Sequence, residues 1–207
     1  MSLARRERAA LVDALAKAGP DAPTLCGEWT TRDLAAHLVV RERRPDSAPG
    51  IMIGALANYT DKVRRGAAEH DWQHLLEQVR TGPPLWSPMR PFDSMVNSIE
   101  MFVHHEDIRR GAPGWEPRTL DDRDQAVLWK TATRMGRMAY RSAPVTVVLE
   151  SLTGSRATVK KVGDEQVVLS GAPSELLLHA FGRDEVRIET TGTPENVRRV
   201  LGVKRGL

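Results

Sequence analysis

Asn97-Ser98-Ile99-Glu100-Met101-Phe102-Val103-His104-His105-Glu106-Asp107 is the stretch on which the reading of this chain turns. Glu100 and His104 stand four residues apart, just over one helical turn. A helix would carry both on one face, with their roots about 5–6 Å apart. Projected at about 100° per residue, Val96, Val103 and Asp107 fall on that face within about a third of the circumference, and Met95, Ile99 and Phe102 lie to one side. A carboxylate and an imidazole on so apolar a face each cost several kcal/mol to desolvate unless paired or ligated. His37, in Leu34-Ala35-Ala36-His37-Leu38-Val39-Val40, meets the same difficulty. Two imidazoles and one carboxylate converging from two helices make the ligand set of an open divalent-metal site, with one position left for water or substrate. The plainer alternative is a buried Glu–His hydrogen bond with His37 unrelated and partly exposed. Spacing alone does not separate the two.

Outward from this stretch, the first 140 residues read as helices. Leu3, Leu11, Val12 and Leu15 give one apolar face over 2–18, stopped by Gly19-Pro20. Thr30, with Asp33 three residues on, is an N-cap signal for a helix over about 31–44, which ends before Pro45. Further helices are expected over about 52–68, 71–80, 92–110 and 121–140, the last with Val127, Leu128, Met135 and Met138 inward. Pro83, Pro84, Pro88 and Pro91 make 82–91 a loop. After Pro144 the character changes. Val145–Leu149 is a short β-branched run, and 157–162 with 166–169 reads as a hairpin turning at Gly163-Asp164. A helix over 173–181 with Pro in its first turn, a strand over 186–190 and a short helix from Pro194 to Leu201 complete the chain. The expectation is a mainly α protein, an antiparallel helical bundle over 1–141 followed by a small α+β domain over 142–207.

Composition narrows the function classes. The 207 residues are 41% hydrophobic, enough for sizeable cores. No run approaches the roughly 18 to 20 apolar residues of a membrane span, and Met1–Arg8 lacks the apolar run of a secretory signal. Cys26 is the single cysteine, which fits a reducing cytoplasm. The net charge is +3, with acids and bases interleaved. Arg41-Glu42-Arg43-Arg44 and Lys204-Arg205 come nearest to a basic patch and read as solvated charge, so neither nucleic acid nor membrane is an expected partner. A monomer or weak homodimer is expected.

Other titratable residues carry weaker signals. Asp107, one turn beyond His104, is placed to orient that ring's second nitrogen, as metal-bound imidazoles require. His105 points about 100° away and fits a supporting or capping role. His70 and His74 form another pair four apart, in polar surroundings that suit a solvated face. Cys26, in a loop before a helix start, could be an activated nucleophile, although a lone thiol is more often a small buried filler.

At these residues the chain resembles a known group. Thr24-Leu25-Cys26-Gly27-Glu28-Trp29-Thr30-Thr31-Arg32-Asp33-Leu34-Ala35-Ala36-His37-Leu38 is similar to the first motif of the mycothiol-dependent maleylpyruvate isomerase family, within the DinB/YfiT-like metal-binding superfamily. The second motif, a glutamate followed after three residues by His-His-x-Asp, is matched by Glu100 and His104-His105-Glu106-Asp107. In the tail, Gly171, Leu176-Leu177-Leu178 and Phe181-Gly182-Arg183 resemble that family's C-terminal domain. The resemblance implies an up-down four-helix DinB-like bundle holding a divalent metal, zinc, through His37, Glu100 and His104. It also implies mycothiol as cosubstrate and an actinobacterial source. The Pro-rich loop and the Arg41–Arg44 segment depart from the isomerase itself.

The reading that follows is an enzyme. A small-molecule thiol held as thiolate in the open position attacks an electrophilic substrate, for cis–trans isomerisation or S-transfer. Asp107 orients His104, and Arg183, with Arg90 behind it, meets substrate carboxylates. Two rivals stand beside it: a metal- or thiol-binding protein without turnover, and a metal-dependent hydrolase. A hydrolase would need an extra carboxylate base, and Glu106, the nearest in sequence, faces away.

Overall fold

The structure is a computed structural model that describes residues 2–44, 46, 57–87 and 96–205. It divides into two compact units, Met1–Trp115 and Glu116–Leu207. Among the described residues there are eight helices and one four-stranded sheet, a mainly helical chain. No helix among them is long and apolar enough to cross a membrane.

The first unit contains α1 (Leu3–Ala18), α2 (Thr31–Arg43), α3 (Ala57–Ala68), α4 (Trp72–Thr81) and α5 (Val96–Arg109). Apolar residues three and four apart on α1, α2, α4 and α5 make its core. These are Leu11, Val12 and Leu15; Leu34, Leu38 and Val39; Leu75, Leu76 and Val79; and Met101 and Ile108. The start of α2 is fixed by a capping box, in which the Asp33 amide donates to the Thr30 hydroxyl and the Thr30 amide donates to the Asp33 carboxylate. That cap sets the phase that turns Leu34 and Leu38 inward.

The Arg41–Arg44 run is not simply solvated charge. Glu42 is 1% exposed and paired with Arg8 of α1, whose guanidinium also donates to the Val79 carbonyl at 2.8 Å. A burial pattern read along α2 alone misses this, because the partner lies 34 residues away.

The second unit runs from α6 (Asp122–Ala139) through β1 (Thr146–Ser151), β2 (Arg156–Lys160), β3 (Gln166–Gly171), α7 (Pro173–Ala180) and β4 (Ile188–Thr191) to α8 (Pro194–Leu201). The compact-unit boundary therefore falls at 115/116 rather than at the 141/142 expected. The helix α6 packs on α7 and on β2, so it belongs with the sheet that follows it.

Strand order is β2-β1-β3-β4, and the expected hairpin between 157–162 and 166–169 does not form. β2 pairs antiparallel with β1, while β3 pairs parallel with β1 on the other side. The chain from β2 to β3 crosses the start of β1, where Thr146 pins it. Its hydroxyl donates to the Val162 carbonyl at 3.1 Å and accepts from the Val162 amide at 2.9 Å, while its amide donates to the Glu165 carbonyl.

The inward face of α6 is also not the one expected. Leu128 is buried, but Met138 is 47% exposed. The buried stripe instead runs Asp124, Leu128, Ala132, Gly136, Ala139. A Cβ on Gly136 would lie 3.0 Å from Val159 and 3.3 Å from Leu149, so small residues let this helix lie close on the sheet.

Candidate metal centre

The loop before α2 and the whole of α5 build one cluster in the first unit. A short bridge pairs Pro23 with Thr30, and Thr24 braces the loop between them. Its hydroxyl donates to the Trp29 carbonyl at 2.7 Å and accepts from the Cys26 amide at 3.1 Å. The loop is tied to the end of α5 by the Leu25 amide, which donates to the Asp107 carbonyl at 3.1 Å. Gly111 permits this approach, since a Cβ there would sit 2.3 Å from the Pro23 carbonyl oxygen. Gly111→Ala is therefore expected to cost about 1–3 kcal/mol of stability by overpacking. Urea denaturation of the variant checks this, and an unchanged midpoint would show that the loop does not lie where described.

His37, Glu100 and His104 meet at one oxygen. Glu100 Oε1 lies 3.4 Å from His37 Nε2 and 3.3 Å from His104 Nε2, and the two rings stand edge to face with centroids 5.3 Å apart. Trp29 covers the other side of His37 at 5.3 Å, and Arg64 lies over Trp29 at 4.8 Å. The three donor atoms lie within 4.8 Å of one another. A four-coordinate ion with ligands at about 2.0–2.1 Å sets nitrogen and oxygen donors about 3.3 Å apart, while good N–H···O bonds run to only about 3.2 Å. Both distances to Glu100 match that donor spacing.

The charges of the cluster follow from its burial and contacts. Burial works against the ionised Glu100, but hydrogen bonds from His104 and His37, and the charges of His104 and Arg41, hold its carboxyl well below the usual range. Burial also opposes a charged His104, yet its hydrogen bonds to Asp107, Cys26 and Glu100 hold that ring protonated well above the ordinary histidine value. For His37 burial dominates. Glu100 offsets it only partly and charged His104 adds to it, so its proton affinity falls.

Around the three stand residues that support them. His104 Nδ1 lies 2.9 Å from Asp107 Oδ2, and Asp107 is fully buried. Two further neighbours were not tied to this cluster by the sequence. Arg41, one turn after His37, brings its Nε 3.4 Å from Glu100 Oε1 with its side chain 10% exposed. Cys26, half-buried, donates its thiol to Asp107 Oδ2 at 3.1 Å with its sulfur 3.8 Å from His104 Nδ1. His37 to Arg41 is again a four-residue spacing and could have flagged the arginine. Nothing local ties Cys26 to α5.

The remaining expectations fall elsewhere. His105 neither caps nor supports His104. Its Nδ1 lies 3.0 Å from Glu7 of α1, and both residues are buried. Glu106 is paired with Arg110 at 2.6 Å and with Arg109. His70 and His74 are exposed, as their polar neighbours suggest. Arg183 belongs to the second unit, past the end of α7, and donates to the Phe181 carbonyl at 2.7 Å. Arg90 lies outside the described residues.

Comparison with known proteins bears on the same segment. The family model described as the mycothiol maleylpyruvate isomerase N-terminal domain matches residues 1–109, just over half of the chain. The chain belongs to this family. No curated protein and no solved structure matches it. The matched mycothiol maleylpyruvate isomerase N-terminal domain ends with Arg109, the last residue of α5. It therefore contains Cys26, His37, Glu100, His104 and Asp107, while the leucine-rich helix and Arg183 lie beyond it.

Proposed function

We propose that the chain is a divalent-metal-dependent, thiol-using enzyme whose first unit is a DinB-like four-helix bundle. On this reading His37, Glu100 and His104 hold zinc, and mycothiol is the cosubstrate. The observation that carries it is the meeting of two imidazole nitrogens from α2 and α5 at one oxygen of Glu100, at 3.4 and 3.3 Å. Bound there, a dication would keep an incoming thiol as its thiolate at neutral pH, the nucleophile that isomerisation by addition and elimination, or S-transfer, requires.

The residues divide the remaining work. Glu100 supplies the negative charge of the site, and His37, whose proton affinity burial lowers, would turn to the ion the Nε2 that it now directs at Glu100. Asp107 accepts from His104 Nδ1, which fixes the ring so that Nε2 faces Glu100. Among the described residues no fourth histidine, cysteine or acid joins this group, which supports an open position and so a catalyst over a closed binding site. Glu106 is engaged by two arginines, which argues against its serving as the base of a hydrolase.

Elemental analysis of the purified protein tests the first half. About one equivalent of metal is expected in the wild type, and its loss in both His37→Ala and Glu100→Ala. Unchanged metal in both variants refutes the assignment. A screen of cis-configured conjugated acids and alkyl halides, with and without mycothiol, tests the second half. Metal-loaded protein with no thiol-dependent turnover of any of them would make the chain a binding protein instead.

A further inference from the structure

The single cysteine is left unused by the reading above, yet it faces the same histidine from the other side. Cys26 Sγ, Asp107 Oδ2 and His104 Nδ1 form a triangle with edges of 3.1, 2.9 and 3.8 Å. A tetrahedral ion bound to sulfur at about 2.3 Å and to nitrogen and oxygen at about 2.0–2.1 Å would place those donors about 3.3–3.6 Å apart. The Cys26–His104 edge is within about 0.3 Å of that spacing, and the two edges at Asp107 are about 0.4–0.5 Å shorter, drawn in by the hydrogen bonds that both residues make to its carboxylate. The triangle is distinct from the one above in its atoms, since it uses Nδ1 of the shared ring where the other uses Nε2. It is also distinct in its chemistry. A thiol, an imidazole and one carboxylate oxygen favour soft, sulfur-seeking ions, whereas the two-imidazole carboxylate set does not.

We infer that Cys26, His104 and Asp107 form a second metal-binding site, on the Nδ1 edge of His104, that takes added thiophilic divalent ions such as cadmium. Binding there releases two protons to solvent, one from the Cys26 thiol and one from His104 Nδ1, and replaces their two hydrogen bonds to Asp107 with metal–ligand bonds. The loop that carries Cys26 is already fixed for this. Thr24 holds the Cys26 amide and Leu25 is bonded to the Asp107 backbone, so sulfur and carboxylate are held in register without an ion. Asp107 has no exposure, whereas Cys26 is half-buried, so an ion would enter past the sulfur. Because both sites share one imidazole, a soft ion on Nδ1 draws Asp107 away from its orienting role, and thiophilic metals would interfere with the first site.

Titration of the full-length protein with Cd2+ and with Co2+, followed by sulfur-to-metal charge-transfer absorption, tests the inference. A saturable band at one equivalent is expected in the wild type, absent in Cys26→Ser and retained in His37→Ala. Asp107→Asn should weaken the ion that gives the band at least tenfold. Retention in His37→Ala separates this site from the one proposed above, whose failure would show instead as metal content indifferent to His37 and Glu100. No band at one equivalent in the wild type overturns the inference. So does a band whose affinity is unchanged in both Asp107→Asn and His104→Gln, since that describes an isolated thiol. If Asp107→Asn fails to fold, the His104→Gln comparison decides alone.

Discussion

Glu106→Ala is expected to cost about 3–5 kcal/mol of stability, a large part of the roughly 5–15 kcal/mol that holds a domain folded. Glu106 is 1% exposed and sits 2.6 Å from the equally buried guanidinium of Arg110, which also lies over Trp115 at 4.5 Å. Removing the carboxylate takes from the buried Arg110 cation the acid that lies 2.6 Å from it. The comparison that gives the number meaning is Glu77→Ala. Glu77 pairs with Arg80 at 2.7 Å, but both side chains are 57% exposed, and a surface pair of this kind contributes about 0–1 kcal/mol. Urea denaturation followed by tryptophan fluorescence reports on the first unit, which contains Trp29, Trp72, Trp86 and Trp115 of the five tryptophans. Equal losses in the two variants would mean that Glu106 is not the buried counter-ion described. The consequence for function is that α5 carries Glu100, His104 and Asp107 on one side and is anchored by Glu106 and Arg110 at its end.

Sequence patterns give these elements unequally, for identifiable reasons. The capping box at Thr30 and Asp33, the four-residue spacing of Glu100 and His104, and the Pro and Gly stops are local features, and helix positions follow from them to within a few residues. Asp107 beside His104 was open to the same local argument. What depends on distant partners was not. Glu42 looks solvated until Arg8 is brought to it, and Cys26 looks like filler until the end of α5 is pinned to its loop. In the second unit the strands were readable but their pairing was not. Two β-runs joined by Gly-Asp suggest a hairpin, whereas the sheet inserts β1 between them and uses Thr146 to hold the crossing chain. On α6 the buried stripe is not the one its large apolar residues mark. Against a sheet the closest approach belongs to Ala132 and Gly136, and Met138 is left outside.

The second unit should lose stability as the solution is acidified through the range where an ordinary histidine charges, because His179 stays neutral while folded. It is 2% exposed at the end of a helix whose Leu176, Leu177 and Leu178 are wholly buried. Its Nδ1 lies 2.5 Å from the hydroxyl of buried Tyr140, and its Nε2 faces the guanidinium of Arg205, itself paired with Asp184. Arginine can only donate, so Nε2 must accept and the single ring proton sits on Nδ1, directed at the tyrosine oxygen. A second proton would have to go on Nε2, against the N–H of Arg205. Burial first, and the charge of Arg205 next, pull this histidine down to about 3, with Asp184 opposing. An unfolded histidine titrates near 6.5. Between these values the unfolded chain binds a proton that the folded one does not, so stability rises with pH. The contribution is complete above about pH 6.5 and is lost as pH falls toward 3, at up to about 1.4 kcal/mol per pH unit. Chemical denaturation between pH 7 and 4.5, read from amide exchange in β1 and β3, should show this slope in the wild type. The slope should be smaller by this amount in His179→Gln, which keeps a polar side chain that does not titrate. Identical slopes, or a His179 ring signal that titrates above pH 5 in the folded protein, would show that the ring is charged where burial and Arg205 should keep it neutral.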